Sequence, residues 1–138
     1  MRQSSTLITI STPGRGLHEI TQEMERWADA QEMREGLLTV FCRHTSASLT
    51  IQENAAPAVK DDVVAWLDRV APEGPHYDHD DEGPDDMPAH LKAILTGVSL
   101  SIPMTDRRLA LGTWQGIYLV EHRRVAHRRE VTLHLMGE

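Results

Sequence analysis

Sixteen residues, Tyr77–Lys92 (YDHDDEGPDDMPAHLK), set the strongest limit on how this chain can fold. They hold six acidic residues, two histidines and two prolines, with no Leu, Ile, Val or Phe before Leu91. Such a stretch cannot serve as a core strand, so it is read as a polar loop running into a helix. Asp85 or Asp86 is placed to cap that helix, and Pro88 falls in its first turn, where a missing N–H is tolerated. Leu91, Ile94 and Leu95 are the expected buried stripe. Asp86 and His90 are four apart and share one helix face, and His79 on the loop can fold back toward His90. Imidazoles and carboxylates suit a divalent metal. The plainer alternative is a solvated acidic loop capping an ordinary helix.

The flanking segments supply the core. Ser5–Ser11 alternates as a β-strand, stopped by Pro13, Gly14 and Gly16. Leu17, Ile20, Met24, Trp27 and Ala28 recur at helical spacing, which predicts an amphipathic helix over 17–33. Leu37–Cys42 is a compact apolar run, read as a buried strand, and Leu49 and Ile51 resume alternation after it. A second helix follows, with Asn54 as its cap, Pro57 in its first turns and Ala58, Val59, Val63, Trp66, Leu67 and Val70 as its apolar face. After the acidic loop come a strand over 98–102 ended by Pro103, strands over 109–111 and 116–121, and a last strand over 127–136 with Val131, Leu133 and Leu135 on one face. The order β-α-β-β-α-α-β-β-β-β with short links predicts an α+β class. One domain over 1–138 is expected, a largely antiparallel sheet or sheets with helices packed on one side.

Composition narrows the function. A net charge of −7 and 4% aromatic residues argue against a nucleic-acid surface. The single cysteine, Cys42, rules out an internal disulfide and Cys–Cys zinc motifs; it is read as a small core residue. The N-terminal residues hold no apolar run of signal-peptide length and no segment suits a membrane span, so a cytoplasmic protein with no membrane partner is expected.

Other residues are candidates for chemistry. His44 follows a buried strand beside Thr45, Ser46 and Ser48. It is either a ligand or acid–base group with hydroxyls that orient a phosphate or water, or a half-buried histidine satisfied by its neighbours. Gly112-Thr113-Trp114-Gln115-Gly116 interrupts a β region and implies a bent or closely approached backbone. It is either a bulge filled by Trp114 or a pocket wall on which Thr113 and Gln115 fix a ligand. Between Glu121 and Arg129 an acidic chain gathers several arginines, whose forked guanidinium matches phosphate.

These stretches in this order, His44-Thr45-Ser46-Ala47-Ser48-Leu49, Glu53-Asn54, Tyr77-x-His79, Asp85-Asp86-Met87-Pro88-Ala89-His90-x-Lys92, Gly112–Ile117 and Glu121-His122-Arg123, resemble the YjbQ (UPF0047) family across essentially the whole chain. The resemblance implies an α+β homotrimer with a polar cleft near a subunit boundary and a secondary thiamine-phosphate synthase activity. It makes His44, His79 and His90 the candidate ligands of a divalent metal, zinc by ligand type, with magnesium accompanying the substrate as the other option. Asp85-Asp86 is the nearest equivalent of a magnesium carboxylate pair. Where other members carry Gly-Pro-Arg near the last strand, this chain has Arg124–Arg129.

In the leading reading, a pyrimidine diphosphate and a thiazole phosphate join with release of pyrophosphate. The ion, Lys92 and Arg128 stabilise the diphosphate. Ser46, Ser48 and Thr113 hold the other phosphate or a bridging water, Trp114 lines the pocket, and His44, Asp86, Gln115 and Asn54 complete the site. A metal-dependent hydrolase of a small phosphorylated or ester substrate keeps the site and changes the chemistry. A non-catalytic trimer that binds a metal or a phosphorylated ligand is the third reading.

Overall fold

The computed structural model describes residues 1–138, with eight strands and three helices. The elements are β1 (Arg2–Thr12), β2 (Gly16–Glu19), α1 (Thr21–Ala30), β3 (Gly36–Cys42), β4 (Ala47–Glu53), α2 (Pro57–Val70), α3 (Asp86–Thr96), β5 (Ser99–Thr105), β6 (Arg108–Leu109), β7 (Gln115–Glu121) and β8 (His127–Gly137). They build a five-stranded sheet, β1-β8-β3-β5-β6, and a three-stranded sheet, β2-β7-β4. Every pairing is antiparallel, which bears out the α+β class with antiparallel sheets.

The two sheets face each other across the main core. Leu38, Val40, Ile102, Met104, Val131, Leu133 and Leu135 come from the larger sheet, and Leu49, Ile117 and Leu119 from the smaller, with Ile20 just before α1 and Met24 and Ala28 within it closing one side. A smaller cluster, Leu17, Leu67, Tyr118 and Val120, lies where α2 covers the other face of the three-stranded sheet. Strand alternation explains this division: Ile117 and Leu119 point one way from β7, Tyr118 and Val120 the other.

Several expectations are corrected. The helix predicted over 17–33 begins only at Thr21, and Leu17 lies in β2, paired with Val120. Leu17 and Ile20 are three apart and fit a helical stripe, yet they enter different clusters on opposite faces of the small sheet. β5 continues through Pro103. The Pro103 carbonyl accepts from Ala110 N–H, so the missing N–H lies on the side of the short strand β6, where the ladder demands little. Neither predicted cap forms: α2 starts after Ala56 while Asn54 donates to the Gln115 carbonyl, and Asp85 stands at the start of α3 with its carboxylate engaged elsewhere.

The largest reversal concerns α3. Its buried residues are Asp86, Pro88, Ala89, Lys92 and Ala93, whereas Ile94 is 77% exposed and Leu95 51%. The helix turns its small and charged side inward because those charges find partners there. On α2, only Leu67 is fully buried, and Trp66 and Val70 remain half exposed.

Candidate functional site

The site grows from the end of β7 and the start of α3. β7 delivers Glu121 into the interior, and the turn after it carries His122 and Arg123 toward α3. Arg123 is the tie between the two elements. Its Nη1 donates to Asp86 Oδ1 at 2.6 Å and its Nε to Asp85 Oδ2 at 3.1 Å, while Nη2 donates to the Glu82 carbonyl at 2.9 Å. Asp85 Oδ2 also accepts from the backbone N–H of Arg124 at 2.9 Å. The end of the acidic loop, Asp85 and Asp86, is thus buried on an arginine, while Asp78–Glu82 stay exposed. Burial alone would raise the Asp85 carboxyl, but these bonds to Arg124 and Arg123 outweigh it and hold it below the usual range.

With Oδ1 held by Arg123, Asp86 turns Oδ2 toward two imidazoles. His79 Nε2 is 2.7 Å from it and His90 Nε2 is 3.1 Å. The i, i+4 spacing puts His90 on that oxygen, and the loop folds His79 back, as the sequence predicts. The ligand atoms of these three residues all lie within 4.8 Å of one another. His90 Nδ1 donates to the Thr45 carbonyl at 2.8 Å, which fixes the ring and leaves Nε2 as the inward nitrogen. Burial pushes Asp86 up, but the bond from His79, the charge on His90 and Arg123 together lower it. The hydrogen bond to Asp86 raises His79.

His44 is not brought to this cluster. Its Nε2 accepts the Glu130 backbone N–H at 2.7 Å, so its one lone pair is used. Burial, then the positive charge of Arg129, lowers its pKa. His44, Thr45 and His90 do share the wall of one groove of about 760 Å³, with Phe41 and Ile94 on its apolar side.

Behind the turn lies a buried polar network. Glu121 accepts from both Nε and Nη2 of Arg129, from Thr12 Oγ1 at 2.6 Å, and from the Arg123 backbone N–H at 3.1 Å. Burial would raise Glu121, but the bonds from Arg129, Thr12 and Arg123 hold it low. Arg129 Nη2 also donates to Ser46 Oγ at 3.1 Å. Thr96 donates to the Lys92 carbonyl, so Ser48 donates to Thr96 and accepts from His122 Nε2 at 2.8 Å. His122 thus carries a proton on Nε2, and burial followed by the charge of Lys92 lowers its pKa to about 3, which favours the neutral ring.

Other predicted residues lie elsewhere. Lys92 projects from the far side of α3 and donates to Asp68 Oδ1 at 2.6 Å. Arg128 points to solvent, whereas Arg129 points inward; β8 alternates, and the expectation for Arg128 is one residue out of phase. Asn54, Thr113, Trp114 and Gln115 sit at the opposite end of β7, roughly 20 Å of extended chain from Glu121. There Gln115 Oε1 accepts from the Gly112 N–H at 2.7 Å, and Trp114 is 63% exposed. Gly116 is closely approached, as expected: a Cβ there would meet Glu19 Oε2 at 2.8 Å. The sequence reading left Arg123 and Glu121 without roles. The signal was present in the continuous apolar run Gly116–Val120, which carries whatever follows it into the interior. Cys42 is buried and burial raises its thiol, in keeping with a core role.

The family described as UPF0047 protein YjbQ-like matches residues 6–138. The chain is 46% identical over 138 residues to UPF0047 protein sll1880 of Synechocystis, covering 99% of this chain and 94% of that one. It is 42% identical over 132 residues to UPF0047 protein YjbQ of Escherichia coli O157:H7, covering 95% and 96%. Among solved structures, an uncharacterized conserved protein of the YjbQ/UPF0047 family from Clostridium acetobutylicum superposes with a TM-score of 0.88 at 34% identity, covering 95% of this chain and 99% of that one. The conserved hypothetical protein TT1486 of Thermus thermophilus gives 0.85 at 35% identity, covering 95% and 99%. With the motifs in order, the whole length matched and the fold in common, this chain belongs to the YjbQ/UPF0047 family.

Proposed function

We propose that the protein is a metal-dependent enzyme, a hydrolase of a small phosphorylated or ester substrate, centred on His79, Asp86 and His90. The observation that carries this is the convergence of two Nε2 atoms on one carboxylate oxygen, at 2.7 and 3.1 Å, with the far sides of Asp86 and His90 tied to Arg123 and Thr45. Because His90 Nδ1 donates to a carbonyl, its Nε2 meets the lone pairs of Asp86 Oδ2 either as an N–H or as a lone pair that a cation must bridge. Only a proton or a cation relieves that contact, so the donor set fits a metal ion. Two imidazoles and one carboxylate match the three protein ligands of a catalytic zinc-type set. A divalent ion held there supplies Lewis-acid polarisation of a phosphoryl or carbonyl oxygen. Glu82, with Oε2 3.0 Å from His79 Nε2, is the carboxylate best placed to take a proton from a water entering beside the centre.

The test is elemental analysis of the purified protein beside the His79→Ala/His90→Ala variant. The expected result is close to one divalent ion per chain in the parent and none in the variant, with folding retained. Full metal retention in the variant removes this reading, and so does failure of the parent to take up metal after soaking. A thiamine-phosphate synthase-like transfer is the second reading. The feature in its favour is the groove of about 760 Å³ ending at His90, which offers apolar walls to a second organic reactant. Metal-dependent release of pyrophosphate only when both reactants are present would select it. We also propose the homotrimer, built on the outer face of the five-stranded sheet, where Leu7, Leu37, Phe41 and Met136 are each more than two-fifths exposed. Light scattering that gives a monomer at micromolar concentration would exclude it.

A further inference from the structure

We propose that the groove between the Pro13–Gly16 loop and α2 binds the phosphate group of a small phosphorylated molecule, at a site separate from the histidine centre. The groove is about 440 Å³ and is lined by Arg15, His18, Lys60, Asp61 and Asp68 among others, a volume ordinary for a small-ligand pocket. It adjoins a crevice of about 10 Å³, room for one water, whose walls include Arg15, Lys92, Glu121 and His122.

The charges are arranged unevenly. Lys92, 3% exposed, donates to Asp68 Oδ1 at 2.6 Å, and Arg15 Nη1 approaches the same oxygen at 3.2 Å. One carboxylate oxygen therefore serves two cations. Lys60 belongs to no ion pair, and its Nζ lies 5.6 Å from the centroid of the Tyr118 ring. The groove's own walls set Arg15 and Lys60 against Asp61 and Asp68, an even balance in a chain of net −7, and the crevice adds Lys92 beside Glu121, whose charge Arg129 already meets. The remaining guanidinium donors of Arg15 have no partner in the chain and can fork onto phosphate oxygens. Buried Lys92 strengthens the field from behind, because a charge away from water is poorly screened. Asp68 is 37% exposed in its side chain and is the carboxylate that a phosphate on Arg15 would compete with.

His122 supports the assignment independently. Its Nε2–H is committed to Ser48, and Nδ1 has no partner in the chain. No buried side-chain nitrogen or oxygen is left unsatisfied, so Nδ1 opens on the crevice as a neutral acceptor. A water there can link His122 and Lys92 to a ligand outside.

Isothermal titration with inorganic phosphate tests the site. The parent is expected to bind, Arg15→Gln and Lys60→Gln to bind at least about tenfold more weakly, and Asp68→Asn about tenfold more tightly once the competing carboxylate is neutral. The His79→Ala/His90→Ala variant should bind as the parent does, which separates this site from the histidine centre and keeps the two proposals independent. If Arg15–Asp68–Lys92 is only a structural ion cluster, Asp68→Asn loses stability and gains no phosphate affinity. Lys60→Gln, a change at a residue without an ion pair, gives an answer even if the Asp68 variant unfolds. No binding by the parent overturns the proposal, as does binding lost in the double-histidine variant but kept in Arg15→Gln.

Discussion

The turn after β7 has two sides built from the same residue types, and they are finished differently. On the inner side, Glu121, Arg129, Thr12 and Ser46 form a closed set: the carboxylate has arginine on both oxygens and the arginine has both an acid and a serine. On the outer side, Arg123 holds Asp86 by one oxygen only and two histidines crowd the other. The inner side resembles a fold element, since buried charges persist only when paired and bonded. The outer side is a set of donors prepared for something the chain does not supply. The histidines differ in the same sense: His122 is pushed down by burial, while His79 is raised by Asp86.

The largest effect should come from opening the closed side. Arg129→Ala leaves Glu121 charged and without a cation in the interior and is expected to cost about 3–5 kcal/mol in urea denaturation, while Arg128→Ala stays within about 0.5 kcal/mol. Equal effects would mean that the inner network is not the stabilising one. Next, Arg123→Gln releases Asp86 from its orientation. Zinc affinity, measured by competition with a chelator, is expected to fall by about 10–100-fold with the chain still folded.

The histidine contrast is sharpened by pH. The folded His122 titrates at about 3 and the ordinary value is 6.5, so between these limits the unfolded chain binds more protons. Stability from this group is complete above pH 6.5 and is lost as pH falls toward 3, at up to about 1.4 kcal/mol per pH unit. Urea midpoints at pH 7, 6 and 5 should decline for the parent and decline less for His122→Asn. The smallest effect is expected at the far end of β7, where Thr113→Ala and Trp114→Ala should leave zinc affinity unchanged and stability within about 0.5 kcal/mol. A loss of metal there would show that this loop reaches a histidine centre after all.

Where neighbouring residues decide the outcome, the sequence was readable. Asp86 and His90 meet because four residues make about one helical turn, and the polar loop between α2 and α3 had no other place than the surface. Where strand parity or a distant partner decides it, the reading slipped. Arg128 and Arg129 look equivalent until β8 is seen to place Val131, Leu133 and Leu135 inward, which takes Arg129 with them. The stripe Leu91, Ile94 and Leu95 promised a buried face, yet ion pairs from Asp68 and Arg123 make the opposite face the better one to bury. His44 carried the right chemistry for a ligand, but a backbone N–H more than eighty residues away claims its lone pair.

The pairing of β1 with β8 bears on how the protein forms. Arg2 faces Gly137 and Thr12 faces His127 across an eleven-residue ladder, so the first strand of this fold pairs with its last. Contacts of such high sequence separation slow folding, because the loop must close before they stabilise anything. During synthesis β1 waits with Ile8 and Ile10 uncovered, and an unpaired strand of this kind invites pairing with another chain. β3 and β5 have each other in the meantime. The interval before β8 emerges is therefore the period in which β1 has no partner within the chain.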